Sequence, residues 1–390
     1  MHHVPRTRAA LAAAAAGASL IAWEQAVPAR WRRTASTLDD LVAGWGGHRR
    51  IPGVMLRVTR DGEVSFEGAS GRTRRWGGTP LRPSDRFHTA SVGKLFTAVT
   101  ILRLWEQQRL DLDLPIAAFI DRDLARGTVV INGVDYADGI TVRRLLNHTA
   151  GLGNSDDDLR FQLAIVTRPY QRRTPQLLLD RARRIPAVGV PGQVQSYASP
   201  GYFLLGLVIE AVTGRSYHEA VRQEVLTPVG LNDTGESIHE WVRSTREQHH
   251  YVGLVDLWKV DPSFEFADGG YVTTLADLTR FGAALSDGSI FASASTMEEM
   301  LRPPVTTVPV DTADYIGLGV HVARDPGGHQ RLYHLGFWGT GLVVVPDEQL
   351  VAAYSLGQAL ADAETFESVM LDLATQGLRV NSEKEQPRDR

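Results

Sequence analysis

Ser91 and Lys94 stand three positions apart, a spacing that puts a hydroxyl and an amine on one face of a helix. A serine hydroxyl is a weak nucleophile and needs a neighbouring base, which such an amine can supply. Lysine is scarce in this chain: Lys94, Lys259 and Lys384 are the three among 41 basic residues, and the others are arginines. Arginine stays protonated in proteins whereas a buried lysine can lose its proton, so the two are not interchangeable where a basic nitrogen is needed. The plain alternative, an N-cap serine and a surface lysine, fits poorly with the apolar Leu95-Phe96 that follows Lys94. Tyr197-Ala198-Ser199 offers a phenol, which acts as a general base where nearby cations lower its pKa, and Lys94 is such a cation. Ser199 precedes Pro200 and therefore also reads as a helix cap. His334-Leu335-Gly336 leads into Phe337-Trp338-Gly339-Thr340-Gly341, where glycines let backbone approach a ligand and an N–H can serve an oxyanion hole. Alone, a His-x-Gly reads better as a partly buried histidine in a glycine-rich turn.

Those residues need elements to hold them. Gly53–Arg60 reads as a strand, Asp61-Gly62 as a two-residue hairpin turn, and Glu63–Glu67 as the returning strand. Leu95, Val99 and Leu102 recur at helical steps within a helix expected over 91–108. Helices and loops dominate from about 110 to 285, including Gly201–Thr213 with Ser199-Pro200 before it and Gly214 as its stop. Strand character returns at Tyr315–Arg324, Leu332–His334, Gly341–Val345 and Leu350–Ser355, and a last helix is expected over about 361–378. Strands at both ends of the chain imply one antiparallel sheet built from distant segments, with a helical region inserted and a cleft between them.

The chain has 390 residues, 43% apolar and 22% charged, with no cysteine and a net charge of −4. That balance excludes a disordered or disulfide-built protein, and any thiolate nucleophile or thiolate metal site. The slightly acidic charge argues against nucleic acid as a partner. Arg6 and Arg8, the apolar run Ala9–Ala22 and Val27-Pro28-Ala29 have the outline of a secretory signal peptide. Trp23-Glu24-Gln25 and the arginines after Ala29 leave an ordinary N-terminal helix as the equal alternative, so cytoplasmic and exported locations both stand. The run is too short to span a bilayer, and no membrane partner is expected. His218-Glu219 and His249-His250 lack metal-ligand spacing, and Asp156-Asp157-Asp158, with no EF-hand pattern after it, reads as a solvated loop. No metal or cofactor is expected. No G-x-S-x-G elbow and no phosphate-binding glycine loop occurs.

In this order, the three constellations resemble the serine β-lactamase and penicillin-recognising superfamily, in its class C-like branch of D,D-peptidases, D-aminopeptidases, esterases and transacylases. Leu145-Leu-Asn-His-Thr-Ala-Gly-Leu152, Ser196–Tyr202 through Ile209–Gly214, and Ala267–Asp277 match supporting segments, and the resemblance runs from about Ile51 to Leu378. It implies an α/β (α+β) fold, an antiparallel sheet flanked by helices with an inserted all-helical domain. The implied division is an N-terminal segment 1–34, a sheet domain 35–90 plus about 270–380, a mainly helical domain about 91–269, and a flexible tail 381–390. It implies that Ser91 is acylated, that Lys94 shares its proton and lowers the Tyr197 pKa, and that Tyr197 is the general base. His334 would add positive charge beside the tyrosine. The N–H groups of Ser91 and Phe337 would form the oxyanion hole, and Ser199, Gly336, Trp338 and His148 would contact a small-molecule acyl substrate.

Two positions depart from the pattern. Leu335 stands where penicillin-binding members usually carry threonine, and Ser199 where many carry asparagine. Losing a hydroxyl donor removes a grip on a substrate carboxylate. With Phe337 and Trp338, this favours an esterase or amidase with an apolar acyl or leaving group over a β-lactamase or D,D-peptidase. An acyltransferase on the same machinery is the alternative, and an inactive binding relative ranks last. The sequence does not specify the oligomeric state.

Overall fold

The computed structural model describes residues 35–236, 246–310, 314–324, 328–359 and 361–385. The candidate leader (1–34) and the end of the tail (386–390) fall outside the described residues. Helix α1 (Leu38–Gly46) opens with a Thr37–Asp40 capping box, which satisfies donors of its first turn. Strand β1 (Gly53–Arg60) turns through Asp61-Gly62 into β2 (Glu63–Gly71), which continues past the expected end at Glu67. Asp61 and Gly62 have φ of 51° and 80°, the pair of positive angles that a type I′ hairpin requires.

The other neighbours of β1 come from the far end of the chain. Strands β3 (Asp314–Ile316), β4 (His321–Arg324), β5 (Gln330–Gly336), β6 (Thr340–Val345) and β7 (Leu350–Ser355) pair successively antiparallel. β7 then pairs with β1, Met55 opposite Ser355, giving the order β3-β4-β5-β6-β7-β1-β2. The single strand expected over Tyr315–Arg324 is instead two, because Gly317-Leu318-Gly319 turns between them with Gly319 at φ 88°.

Alternation of side chains sends the sheet's residues into two separate cores. Val54, Leu56, Val58, Val343 and Tyr354 pack with Leu41 and Trp45 of α1 and with Phe366 of α6 (Ala363–Glu385). Met55, Leu342, Val344, Val351 and Ala353 face the opposite core, with Leu278 and Phe281 of α5 (Leu275–Ser286). Both faces are therefore covered, and β6 and β7 are buried along their whole length. Helix α6 reaches Glu385, beyond the expected end near Leu378, through Arg379 and Glu383-Lys384-Glu385, residue types that favour helix.

The second core is shared with the helical region. A 3-10 turn, Ala90–Gly93, precedes α2 (Lys94–Glu106), so the helix expected from Ser91 begins as a tighter turn. Lys94 through Leu102 are all buried, which makes α2 an interior helix rather than an amphipathic one. It packs on α4 (Pro200–Thr213), which ends at Gly214 with φ 69°, as the glycine stop predicts. Helix α3 (Leu159–Thr167) contributes Phe161, Gln162, Ile165 and Val166 to the wall of the cavity that Ser91 borders.

Candidate active site

The turn that carries Ser91 is built under strain. Ala90, a residue with a Cβ, holds φ 44°, a conformation that costs about 1–3 kcal/mol. Its neighbours hold it there. The Thr89 hydroxyl donates to the carbonyl of Gly269 (2.9 Å), and the Thr340 hydroxyl donates to the carbonyl of Thr89 (2.9 Å). Gly336 serves the same contact: a Cβ there would lie 2.5 Å from the Thr89 carbonyl oxygen. Its lack of a side chain thus lets β5 approach the turn that carries Ser91. The turn presents Ser91, partly exposed, just before the N-terminus of α2, where the helix dipole favours developing negative charge.

Lys94 lies behind it, fully buried, with Nζ 3.0 Å from Ser91 Oγ. Nζ also reaches Ser199 Oγ (3.3 Å) and the carbonyl of Asp268 (3.4 Å), and pairs with the Asp268 carboxylate. Burial lowers the Lys94 pKa to about 7, although Asp156 and Glu265 oppose the shift by favouring the charged amine. A large share of this amine is therefore neutral near neutral pH, as a general base must be.

Tyr197 departs from expectation. Its ring lies with Lys94 Nζ 4.9 Å from the ring centroid, and its hydroxyl interacts with the hydroxyls of Ser91 and Ser199. Burial and the nearby Asp156 push its pKa well above the ordinary phenol value, with the two serine hydroxyls opposing. The lowering anticipated from Lys94 is not found, and the resting phenol is protonated. His334 is also corrected. It is buried, donates from Nδ1 to the carbonyl of Leu335 (3.0 Å), and burial, His321 and Lys94 hold its pKa well below the usual imidazole value. It faces Tyr197 edge-on at 6.2 Å as a neutral ring, not as the added positive charge that the resemblance implies. Leu335 packs with the core on the opposite sheet face.

Ser199 sits at the start of α4 without capping it, and its hydroxyl donates instead to Asp156 Oδ2 (2.8 Å). Asp156 is thus a site residue, which corrects the reading of the Asp156–Asp158 run as a solvated loop. Asp157 is exposed, and Asp158 caps α3 by accepting from the Phe161 N–H. His148 is buried behind Tyr197, stacked on its ring at 4.4 Å, with Nδ1 accepting from the Ala198 N–H (3.1 Å). It positions the Tyr197 segment and does not line the cavity that Ser91 borders. His321 on β4, 6.3 Å from the Tyr197 ring and 5.2 Å from His334, escaped the sequence reading. Its pKa is lowered to about 4, chiefly by burial.

In front of Ser91 opens a cavity. Its walls are mostly apolar, with Phe161 and Ile165 of α3, Leu257, Phe264, Phe337 and Trp338 among them. Trp338 was expected at the substrate and does form a wall, its indole N–H donating to Glu265 (3.1 Å). Ser91 and Phe337 border the same cavity. Among the described residues, no group of three His, Asp or Glu side chains is placed to hold a metal.

Comparison with known proteins agrees with this architecture. The family model described as Beta-lactamase matches residues 31–365. Penicillin-binding protein 4 of Amycolatopsis lactamdurans is similar, 30% identical over 254 residues, which are 61% of this chain and 60% of that protein. Esterase EstB of Burkholderia gladioli is 31% identical over 202 residues, 48% of this chain and 47% of the esterase. The matches thus span less than two thirds of these relatives' lengths. Among solved structures, a D-stereospecific amidohydrolase from Streptomyces sp. has a TM-score of 0.70 and 25% identity, covering 90% of this chain and 98% of that one.

Proposed function

The chain belongs to the Beta-lactamase family, and on that premise we propose that it is a serine hydrolase cleaving an ester or amide with an apolar or aromatic acyl group, through an acyl-Ser91 intermediate. The observation that carries this reading is the buried Lys94 amine, 3.0 Å from the Oγ of Ser91, which borders an apolar cavity. Neutral Lys94 takes the Ser91 proton as Oγ attacks the carbonyl carbon. The N–H groups of Ser91 and Phe337 hold the oxyanion, and the N-terminus of α2 adds its dipole. As the tetrahedral species collapses, the carbon–heteroatom bond breaks and the leaving atom takes a proton from the Tyr197 hydroxyl, which Lys94 re-protonates. Tyr197 acts here as a relay, in keeping with its raised pKa, rather than as the first base. Water then attacks the acyl-enzyme, giving its proton to Lys94 and finally to Ser91 Oγ.

An esterase among the relatives and an amidohydrolase among the structural neighbours support this substrate range. Ser199, in place of an amide side chain, supports it over a penicillin-directed activity. Intact-mass measurement after exposure to aryl-alkanoyl esters, D-peptides and a penicillin tests it. The expected result is an aryl-alkanoyl adduct that clears with time and is absent from Ser91→Ala. Labelling by penicillin and D-peptides alone, or equal labelling of Ser91→Ala, would overturn it. An amine added to the same assay distinguishes transfer from hydrolysis.

A further inference from the structure

A second recess lies on the other side of α3, between that helix and the helix Pro175–Ala182. Arg160, Ala164 and Arg168 recur at four-residue steps on the face of α3 that borders it, while Gln162, Ile165 and Val166 border the catalytic cavity. The opposite helix supplies Leu177 and Arg181, again four apart, and Arg184 follows three residues on. Four arginines therefore border one groove. Its two acids are already engaged: Asp158 accepts from the Phe161 N–H (2.9 Å), and Asp180 accepts from Gln176 (3.0 Å) and pairs with Arg183. None of the four guanidinium groups has a hydrogen-bond or ion-pair partner among the described residues. Other arginines of the helical region are paired, Arg122 with Asp138, Arg126 with Asp123 and Arg143 with Asp113. Behind the groove Arg173 is buried, donating to the carbonyls of Gln171, Ala164 and Arg168 (2.8, 2.8 and 3.1 Å). Burial lowers its pKa, Arg181 and Arg168 add to the shift by repulsion, and Asp261 opposes it. Arg160 stands in the first turn of α3, where the helix dipole disfavours a cation. Like charges gathered in one recess repel, and a bound anion removes that cost.

We propose that this groove binds a diphosphate or polyphosphate group, at a site separate from the catalytic cavity. A guanidinium fork donates two parallel N–H bonds to phosphate oxygens, and arginines on facing helices grip a diphosphate from both sides. A monoanion engages fewer of the four and is held less well. Phe161 borders both spaces, so α3 is the wall that they share. The proposal does not draw on the acyl-Ser91 reading, since neither Ser91, Lys94 nor Tyr197 borders the groove.

Calorimetric titration of the intact protein with inorganic pyrophosphate, at low salt, tests the groove. Pyrophosphate should bind saturably, about tenfold or more tighter than acetate at matched ionic strength. Arg160→Gln and Arg181→Gln, on the two facing helices, should each weaken pyrophosphate by about threefold to tenfold. Arg160 is exposed, so its replacement leaves the fold intact and keeps the test decisive if Arg181→Gln fails to fold. Arg126→Gln, whose arginine is paired with Asp123 and does not border the groove, should bind as the wild-type protein does. No saturable binding, equal affinity for acetate, or binding unchanged in both groove variants would overturn the site. Ser91→Ala should also bind normally, and loss of binding there would place pyrophosphate in the catalytic cavity and overturn it too. Co-sedimentation with phosphatidic-acid vesicles that pyrophosphate reverses would assign the phosphate to a lipid headgroup. Absence of co-sedimentation assigns it to a soluble ligand, and the site stands in both cases.

Discussion

Two regions meet at Ser91, and they are built on opposite principles. Behind the serine, Lys94, Ser199, Asp156 and Asp268 form a connected polar group in which each side chain has a protein partner. In front, the cavity walls are rings and branched chains whose polar neighbours are few. The first region fixes protonation states through burial and hydrogen bonds. On the proposed reading, the second fixes which acyl group can sit against Ser91. Substitutions behind the serine should therefore change rate and pH dependence, whereas substitutions in front should change substrate choice.

The sharpest way to break this comparison is Lys94→Arg. It keeps the positive charge but loses the amine that can release its proton, so activity should fall about 10²–10⁴-fold, nearly as far as in Lys94→Ala. Steady-state ester hydrolysis measures this, and an active Lys94→Arg would remove the proton-transfer role. The pH profile gives the sign. Below about 7 the buried amine is protonated and cannot accept from Ser91, so kcat/KM should rise with pH through that region and level off above it. Tyr197 should add no descending alkaline limb in the ordinary range, because its phenol is held protonated well beyond the usual value.

A smaller change distinguishes Asp156 from its neighbour. Asp156→Asn removes the charge that favours protonated Lys94, so the rise in kcat/KM should move to lower pH, with about a tenfold loss of rate from the weakened Ser199 contact. A merely structural role would lower the rate without moving the profile. Asp157→Asn, on an exposed side chain, should leave the profile in place and change stability by no more than about 0.5 kcal/mol.

That pair also marks how far the sequence could be read. Ser91, Lys94 and Tyr197 were recognisable because their types and spacing are tied to one chemistry, and the apolar runs of β1, β6 and β7 announced the sheet. Asp156 was not recognisable. Within a run of three aspartates the ordinary expectation is solvent, and only its contact with Ser199, 43 positions on, places it in the site. His321 had no motif at all, since it arrives beside Tyr197 through a hairpin whose turn at Gly317–Gly319 was itself unread. Protonation was the least legible property. Tyr197 and His334 were identified as residues, but their charge states follow from burial and neighbours, which spacing does not encode.

The front region supplies the smallest effect on rate and the clearest one on choice. Phe161, on α3, is buried and lines the cavity far from the proton-transfer groups in sequence. Phe161→Ala opens space where an aromatic acyl group would pack, and loses apolar contact there worth about 1–3 kcal/mol of discrimination. A phenylpropanoyl ester should lose about tenfold or more in kcat/KM, mostly through KM, while an acetyl ester, too short to reach that wall, should change little. The pH midpoint set by Lys94 should be unaltered. If both esters lost activity equally, or if the midpoint moved, the two regions would be coupled through α3, and the division between rate behind the serine and choice in front of it would fail.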